Sequence, residues 1–250
     1  MQIFEVSCRK NDGWLGSLFV GELRFSSLAG RPIDRQEFLD QIAGKRVLNA
    51  AHGYHNKESQ ADHFAETVAA RIEEAQLGYD ALVLFSWSGG LTYAGFGMAV
   101  ARTKACGRRL ADLIALEGGA GAHVDCVSHS LGAEVSTYAL QKSRSVGRWI
   151  ALAAAISDTS LGPGQQFDAN GLGVGRVLVT HSERDEVLQW AYPIGSGLKA
   201  ALGLHGPRIG QSAAKVSARN VSEFVSSHSE AYSAPRVYEI WAQWMKGDKC

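Results

Sequence analysis

The chain has few cysteines, and they are spaced neither for pairing nor for metal. Four stand among 250 residues, at positions 8, 106, 126 and 250, with no CxxC pair and no repeated interval. This excludes a disulfide framework and reads as reduced thiols in a cytoplasmic protein. Cys126, inside an apolar run, reads as a small core residue. No apolar run is long enough to span a bilayer. The opening Met1-Gln2-Ile3-Phe4-Glu5 lacks the basic flank and apolar stretch of a signal peptide. Charge of one sign is also missing, because 25 Lys+Arg balance 25 Asp+Glu. Nothing in bulk therefore favours nucleic acid or an anionic membrane, and the weak self-repulsion leaves a homodimer open. There is no internal repeat, no low-complexity tract and no boundary, so residues 1–250 read as one domain.

What is present is a 46% hydrophobic chain with 28 glycines, enough for a soluble domain with a sizeable core. "QIFEVSC" (Gln2 to Cys8) and "SLFVGELRF" (Ser17 to Phe25) flank an Asp-Gly turn in "KNDGW", which predicts an N-terminal antiparallel hairpin. Beyond it, strands alternate with helices. "RVLNAAHG", "DALVLFSW", "HVDCVS", "RWIALAAAI" and "RVLVTHS" are apolar strands. Residues 61–77 have helical spacing at Phe64, Val68, Ile72 and Ala75. Residues 93–117 form a long helical stretch with a candidate break at Gly107, 130–142 predict another helix, and Val237, Ile240, Trp241, Trp244 and Met245 mark an amphipathic closing helix. The pattern predicts an α/β fold with a mostly parallel central sheet covered on both faces. The Gly-rich polar segment 157–175 is too long for a routine connection and reads as a loop or small cap insertion.

"HVDCVSHSLGAE" (His123 to Glu134) carries the chemistry. A serine hydroxyl needs an adjacent base, an exposed position and donors for a developing oxyanion. A sharp strand-to-helix turn supplies exposure and one backbone donor, provided that the residues two before and two after the serine are small. Here these are Ser128 and Gly132 around Ser130. The competing reading is a helix N-cap. The order nucleophile, acid, histidine continues with Asp185 after "RVLVTHS" and His228 in "VSEFVSSHSEAY". Asp158 is a rival acid, and His181 and His205 are rival bases. Gly53 in "NAAHGYHN" permits a close turn, so Tyr54 N–H is a candidate oxyanion donor beside that of Leu131. A metal site on His52 and His55 lacks a third ligand at suitable spacing, so no metal is expected. "GLGVG" and "GGAGA" precede strands, whereas a dinucleotide fingerprint follows one, and the Gly-rich run after "FSW" has no P-loop lysine; no cofactor is expected.

With strand–His-Gly-Tyr, "FSWSGG", His-Ser-Leu-Gly and the trailing Asp and His in place, the chain resembles the α/β-hydrolase superfamily over residues 46–245. It is most similar to an uncharacterised bacterial branch carrying HGY, FSW and HS(M/L)G motifs. That branch's HGYN-like sequence stands here with Asn56 displaced by one, and Ser88-Gly89-Gly90 follows Trp87 where Pro is usual. The resemblance implies a serine hydrolase of the carboxylesterase or lipase type, acting on a small-molecule ester or thioester. It assigns Ser130 as nucleophile, Asp185 as acid, His228 as base, and Tyr54 and Leu131 as the oxyanion hole. Trp87, Ser88 and Tyr93 would border the substrate pocket, with Trp190 and Tyr192 as weaker candidates. A non-catalytic binding protein on the same fold and an acyltransferase are the alternatives.

Overall fold

The computed structural model describes residues 1–9, 20–54, 58–89, 96–208 and 214–247. The apolar runs become strands: β1 (Gln2–Arg9), β2 (Val20–Ser27), β3 (Pro32–Ile33), β4 (Arg46–Ala51), β5 (Ala81–Ser86), β6 (His123–His129), β7 (Val146–Leu152), β8 (Val174–His181) and β9 (Val216–Asn220). They form one nine-stranded sheet in the order β3-β2-β1-β5-β4-β6-β7-β8-β9. β2 pairs antiparallel with both β1 and β3. Every pairing from β1 to β9 through the centre is parallel. All of β5 and residues 47–51 of β4 are buried, as continuous apolar strands in a sheet covered on both faces must be. This is an α/β fold with an antiparallel N-terminal edge; the turn read at Lys10–Trp14 lies outside the described residues.

The helices are α1 (Arg35–Ile42), α2 (Glu58–Glu74), α3 (Phe96–Gly119), α4 (Gly132–Leu140), α5 (Tyr192–Ser196), α6 (Leu202–His205), α7 (Glu230–Ser233) and α8 (Pro235–Lys246). From β4 the chain crosses by α2 to β5 on one side, then by α3 to β6 on the other. Right-handed crossovers in opposite directions put α2 and α3 on opposite faces. α1 and α4 pack with α3, and α7 and α8 with α2. The reversal leaves a crevice above the carboxyl ends of β4 and β6, where open α/β sheets bind ligands.

Three local features bear on the site. Gly107 does not break α3. A Cβ there would sit 2.5 Å from the Tyr138 Cβ and 2.7 Å from the Val135 carbonyl, so glycine lets α3 and α4 touch closely. Before His228, residues 222–224 form a turn, and the strand that precedes them is β9, a half-exposed edge of modest apolar content. The segment 157–175 is a packed loop. Leu161, Phe167, Ala169 and Leu172 are buried, and the Asp168 carboxylate accepts from Gly164 and Asn170 N–H, both at 2.9 Å. No helix among the described residues is long and apolar enough to cross a membrane.

Candidate active site

Ser130 stands between β6 and α4 with φ +55°, a left-handed conformation rare for a non-glycine residue and worth a functional explanation. Its N–H donates to the Leu152 carbonyl at 3.1 Å, and its carbonyl accepts from Ala133 and Ala155 N–H at 3.1 and 3.0 Å. These bonds pin the turn to the end of β7. Gly132 passes so close to β4 that a Cβ would lie 2.4 Å from the Ala51 carbonyl and 2.5 Å from that of His52. Ser128 is small, as the turn requires, and its Oγ also accepts from Trp149 Nε1 at 2.8 Å. No hydrogen bond among the described residues uses the Leu131 N–H.

Four residues past β8, buried Asp185 presents Oδ2 to His228 Nδ1 at 2.7 Å. Its Oδ1 accepts from Leu188 N–H at 3.0 Å, so both carboxylate oxygens are held. The His228 side chain keeps 16% exposure against 1% for Asp185. Asp158 lies elsewhere: its Oδ2 is 3.7 Å from Arg208 Nη1, and no hydrogen bond joins it to a histidine among the described residues. His181 packs against Gly206, and His205 ends α6.

His129 connects the turn to His228. Its Nε2–H donates to the His228 carbonyl at 3.0 Å, and the two ring centroids are 4.6 Å apart. Tyr232 and Phe64 enclose its other sides. Burial first, then His228, hold its pKa well below the ordinary histidine value, so the ring is neutral. Ser130 and His228 share no direct hydrogen bond among the described residues; the link runs from the His228 carbonyl to His129, the residue before Ser130. The sequence showed His129 only as a letter of the elbow motif. Its position under a loop a hundred residues away had no local signal.

The strand end at β4 completes the surround. Gly53 lies against the elbow, where a Cβ would be 2.8 Å from the Ser130 Cβ. That places Tyr54 next to the turn, with its ring edge-on to Phe96 at 5.3 Å. His52 is fully buried, and burial followed by the Arg9 guanidinium lowers its pKa to about 3. Its Nδ1–H donates to the Gly53 carbonyl at 2.9 Å, while Nε2 accepts from Trp87 N–H and Arg9 Nη2, both at 3.1 Å. Both ring nitrogens are thus occupied, and among the described residues no three His, Cys, Asp or Glu side chains cluster as metal ligands would. His55 lies outside them.

Trp87 is bound into this scaffold. It is fully buried, stacks on His52 at 5.6 Å, and donates Nε1–H to the His52 carbonyl at 2.9 Å. The Ser88 carbonyl is held by Arg102 Nη1 at 3.1 Å. Tyr93 lies outside the described residues. The cavity beside the elbow, about 460 Å³, is walled by α3, by Leu131 and the α4 residues Glu134 and Tyr138, by the 156–167 loop and by Tyr192. Trp190, 66% exposed, faces solvent. These walls are distant in sequence and become neighbours only through the topology.

No family model matches the chain, and no curated protein does. Solved structures do. Lipase B of Aspergillus fumigatus aligns with 83% of this chain at TM-score 0.53 and 14% identity. This chain spans only about half of that one, 54%. The Thermus thermophilus protein TT1662 aligns over 91% of this chain and 93% of its own, at TM-score 0.50 and 16% identity. These likenesses establish the fold as that of the α/β-hydrolases.

Proposed function

We propose that the chain is a serine hydrolase that cleaves a small carboxylic ester or thioester through an acyl-enzyme. The reading is supported by the Asp185–His228 pair at 2.7 Å, taken together with a serine whose backbone stands at φ +55° at a strand-to-helix turn. A buried carboxylate on Nδ1 fixes the imidazole with Nε2 free of its proton, the tautomer a general base needs.

In the proposed reaction His228 Nε2 takes the Ser130 proton as Oγ bonds to the substrate carbonyl carbon. The carbonyl electron pair moves to oxygen, and the Leu131 and Tyr54 N–H groups receive the oxyanion. The tetrahedral species collapses, the C–O or C–S bond breaks, and His228 returns its proton to the leaving alcohol or thiol. Water then repeats the sequence on the acyl-enzyme, releasing the acid and freeing Ser130. Base catalysis of this kind contributes about 10²–10⁴-fold, and one oxyanion donor about 10²–10³-fold.

The neutrality of His129 suits this cycle. His228 becomes an imidazolium with the His129 ring only 4.6 Å away. A second cation at such range would oppose it by about 4 kcal/mol at an effective dielectric near 20.

Stopped-flow hydrolysis of 4-nitrophenyl acetate tests the reading. It expects a 4-nitrophenol burst stoichiometric with protein, absent in Ser130→Ala. Equal turnover by that variant would overturn it.

A further inference from the structure

The cavity beside Leu131 has a polarity gradient that bears on substrate choice. α3 and α4 each return from the carboxyl to the amino edge of the parallel sheet, so they run side by side in the same direction. The α3 wall presents Phe96, Val100 and Lys104, at helical spacing. The opposite wall presents Leu131, just before α4, and Glu134 and Tyr138 on it. At 1.5 Å per residue, Leu131 to Tyr138 spans about 10 Å. Gly107 abuts Tyr138, which puts Lys104 one turn short of that level. Phe96, Val100 and Leu131 are thus the apolar lining next to the turn; Glu134 and Lys104 stand about one helical turn farther on, and Tyr138, whose Oη accepts from Gln166 Nε2 at 2.9 Å, lies beyond them.

The charges facing this space are unequal. Lys104 from α3 and Lys199 from the segment after α5 are the cations. Glu134 is the lone carboxyl among the described lining residues, and burial raises its pKa to about 7 despite Lys199, so it is only partly ionised at neutral pH. Burial raises the Tyr138 and Tyr192 phenols, which stay neutral. Asp158, behind Ser157, already faces Arg208. Two lysines against one carboxyl leave the lining net positive even with Glu134 ionised, about one helical turn beyond the apolar residues at the turn.

We propose that this groove selects an ester with an anionic arm: a short apolar spacer ending in a carboxylate or similar anion held by Lys104 and Lys199. This rests on the serine-hydrolase reading and adds the substrate class to it. The anion sits on the acyl or on the alcohol side, and matched substrates separate the two.

For the acyl arm, mono-4-nitrophenyl adipate is compared with 4-nitrophenyl hexanoate. For the alcohol arm, 6-acetoxyhexanoate is compared with hexyl acetate by pH-stat. We expect kcat/KM to favour the anionic ester about tenfold in one arm, with the preference shrinking as salt rises. The ratio should fall towards one in Lys104→Gln/Lys199→Gln and invert in Lys104→Glu/Lys199→Glu. Calorimetric binding of adipate to the wild-type chain, weakened by the same variants, reads the groove without turnover. No preference in either arm, or a preference and adipate binding that survive the double Gln variant, overturns the proposal. Fluorophosphonate labelling of wild-type Ser130 judges the catalytic reading separately: with labelling present and no anionic preference, the groove assignment fails alone. With labelling absent, the adipate result still decides the groove.

Discussion

Glu117 lets the structure be tested through stability. The side chain is fully buried at the end of α3, where Oε2 accepts from Asn49 Nδ2 at 2.6 Å. Glu117 Oε1 and Asn49 Oδ1 are both left without a donor. A proton on the acid reconciles the two, because a carboxylic acid and an amide can then each donate to the other. Burial, opposed only by the Asn49 bond, raises the Glu117 pKa from 4.5 to about 8. The folded state therefore binds this proton more tightly than the unfolded chain does. Its contribution to stability is whole below about pH 4.5, falls as pH rises, and reaches its floor above about pH 8. At 1.36 kcal/mol per pH unit, the full loss is on the order of 5 kcal/mol, a large share of a typical folding free energy. Glu117→Gln keeps the acceptor for Asn49, supplies a donor and cannot ionise. Urea unfolding from pH 5 to pH 9 should find the variant close to wild type at the acid end and several kcal/mol more stable at the alkaline end. A difference that is flat across this range would refute the reasoning.

The other expectations concern the site. Asp185→Asn should lower kcat by about 10⁴-fold, as expected for loss of the correct histidine tautomer. Asp158→Asn should change it far less, and ester kinetics on the two variants would reassign the acid if the ranking reversed. His129→Phe removes the donor to the His228 carbonyl while retaining a ring, so kcat/KM should fall about tenfold and stability by about 1–2 kcal/mol. Unchanged kinetics would show that the His228 loop does not depend on that bond. Gly132→Ala would drive a methyl into the Ala51 and His52 carbonyls. It should abolish ester turnover and lower stability by about 1–3 kcal/mol, measured by thermal unfolding.

What could be read in the sequence was whatever had a local cause. Continuous apolar runs such as Ala81–Ser86 announce buried parallel strands, because both faces of each strand need cover. The small residues around Ser130 are visible because the turn is confined by backbone within a few ångströms. β9 was missed because a half-exposed edge strand, "VSARN", carries little apolar pattern. α1 was missed because only Phe38 and Ile42 of it are buried. An aromatic after a strand end, such as Trp87, has two destinations. Its bond to the His52 carbonyl, set by the β4–β5 pairing, sends it into the core. The groove walls come from four separated segments, and only the assembled sheet makes them neighbours.

The central claim is that Ser130 is a nucleophile activated by the Asp185–His228 pair. Fluorophosphonate labelling followed by peptide mass spectrometry tests it most directly. The account predicts one modified residue, Ser130, with labelling lost in Ser130→Ala and strongly slowed in His228→Ala. Labelling that persists in Ser130→Ala, or a folded wild-type chain that takes up no label, would contradict it.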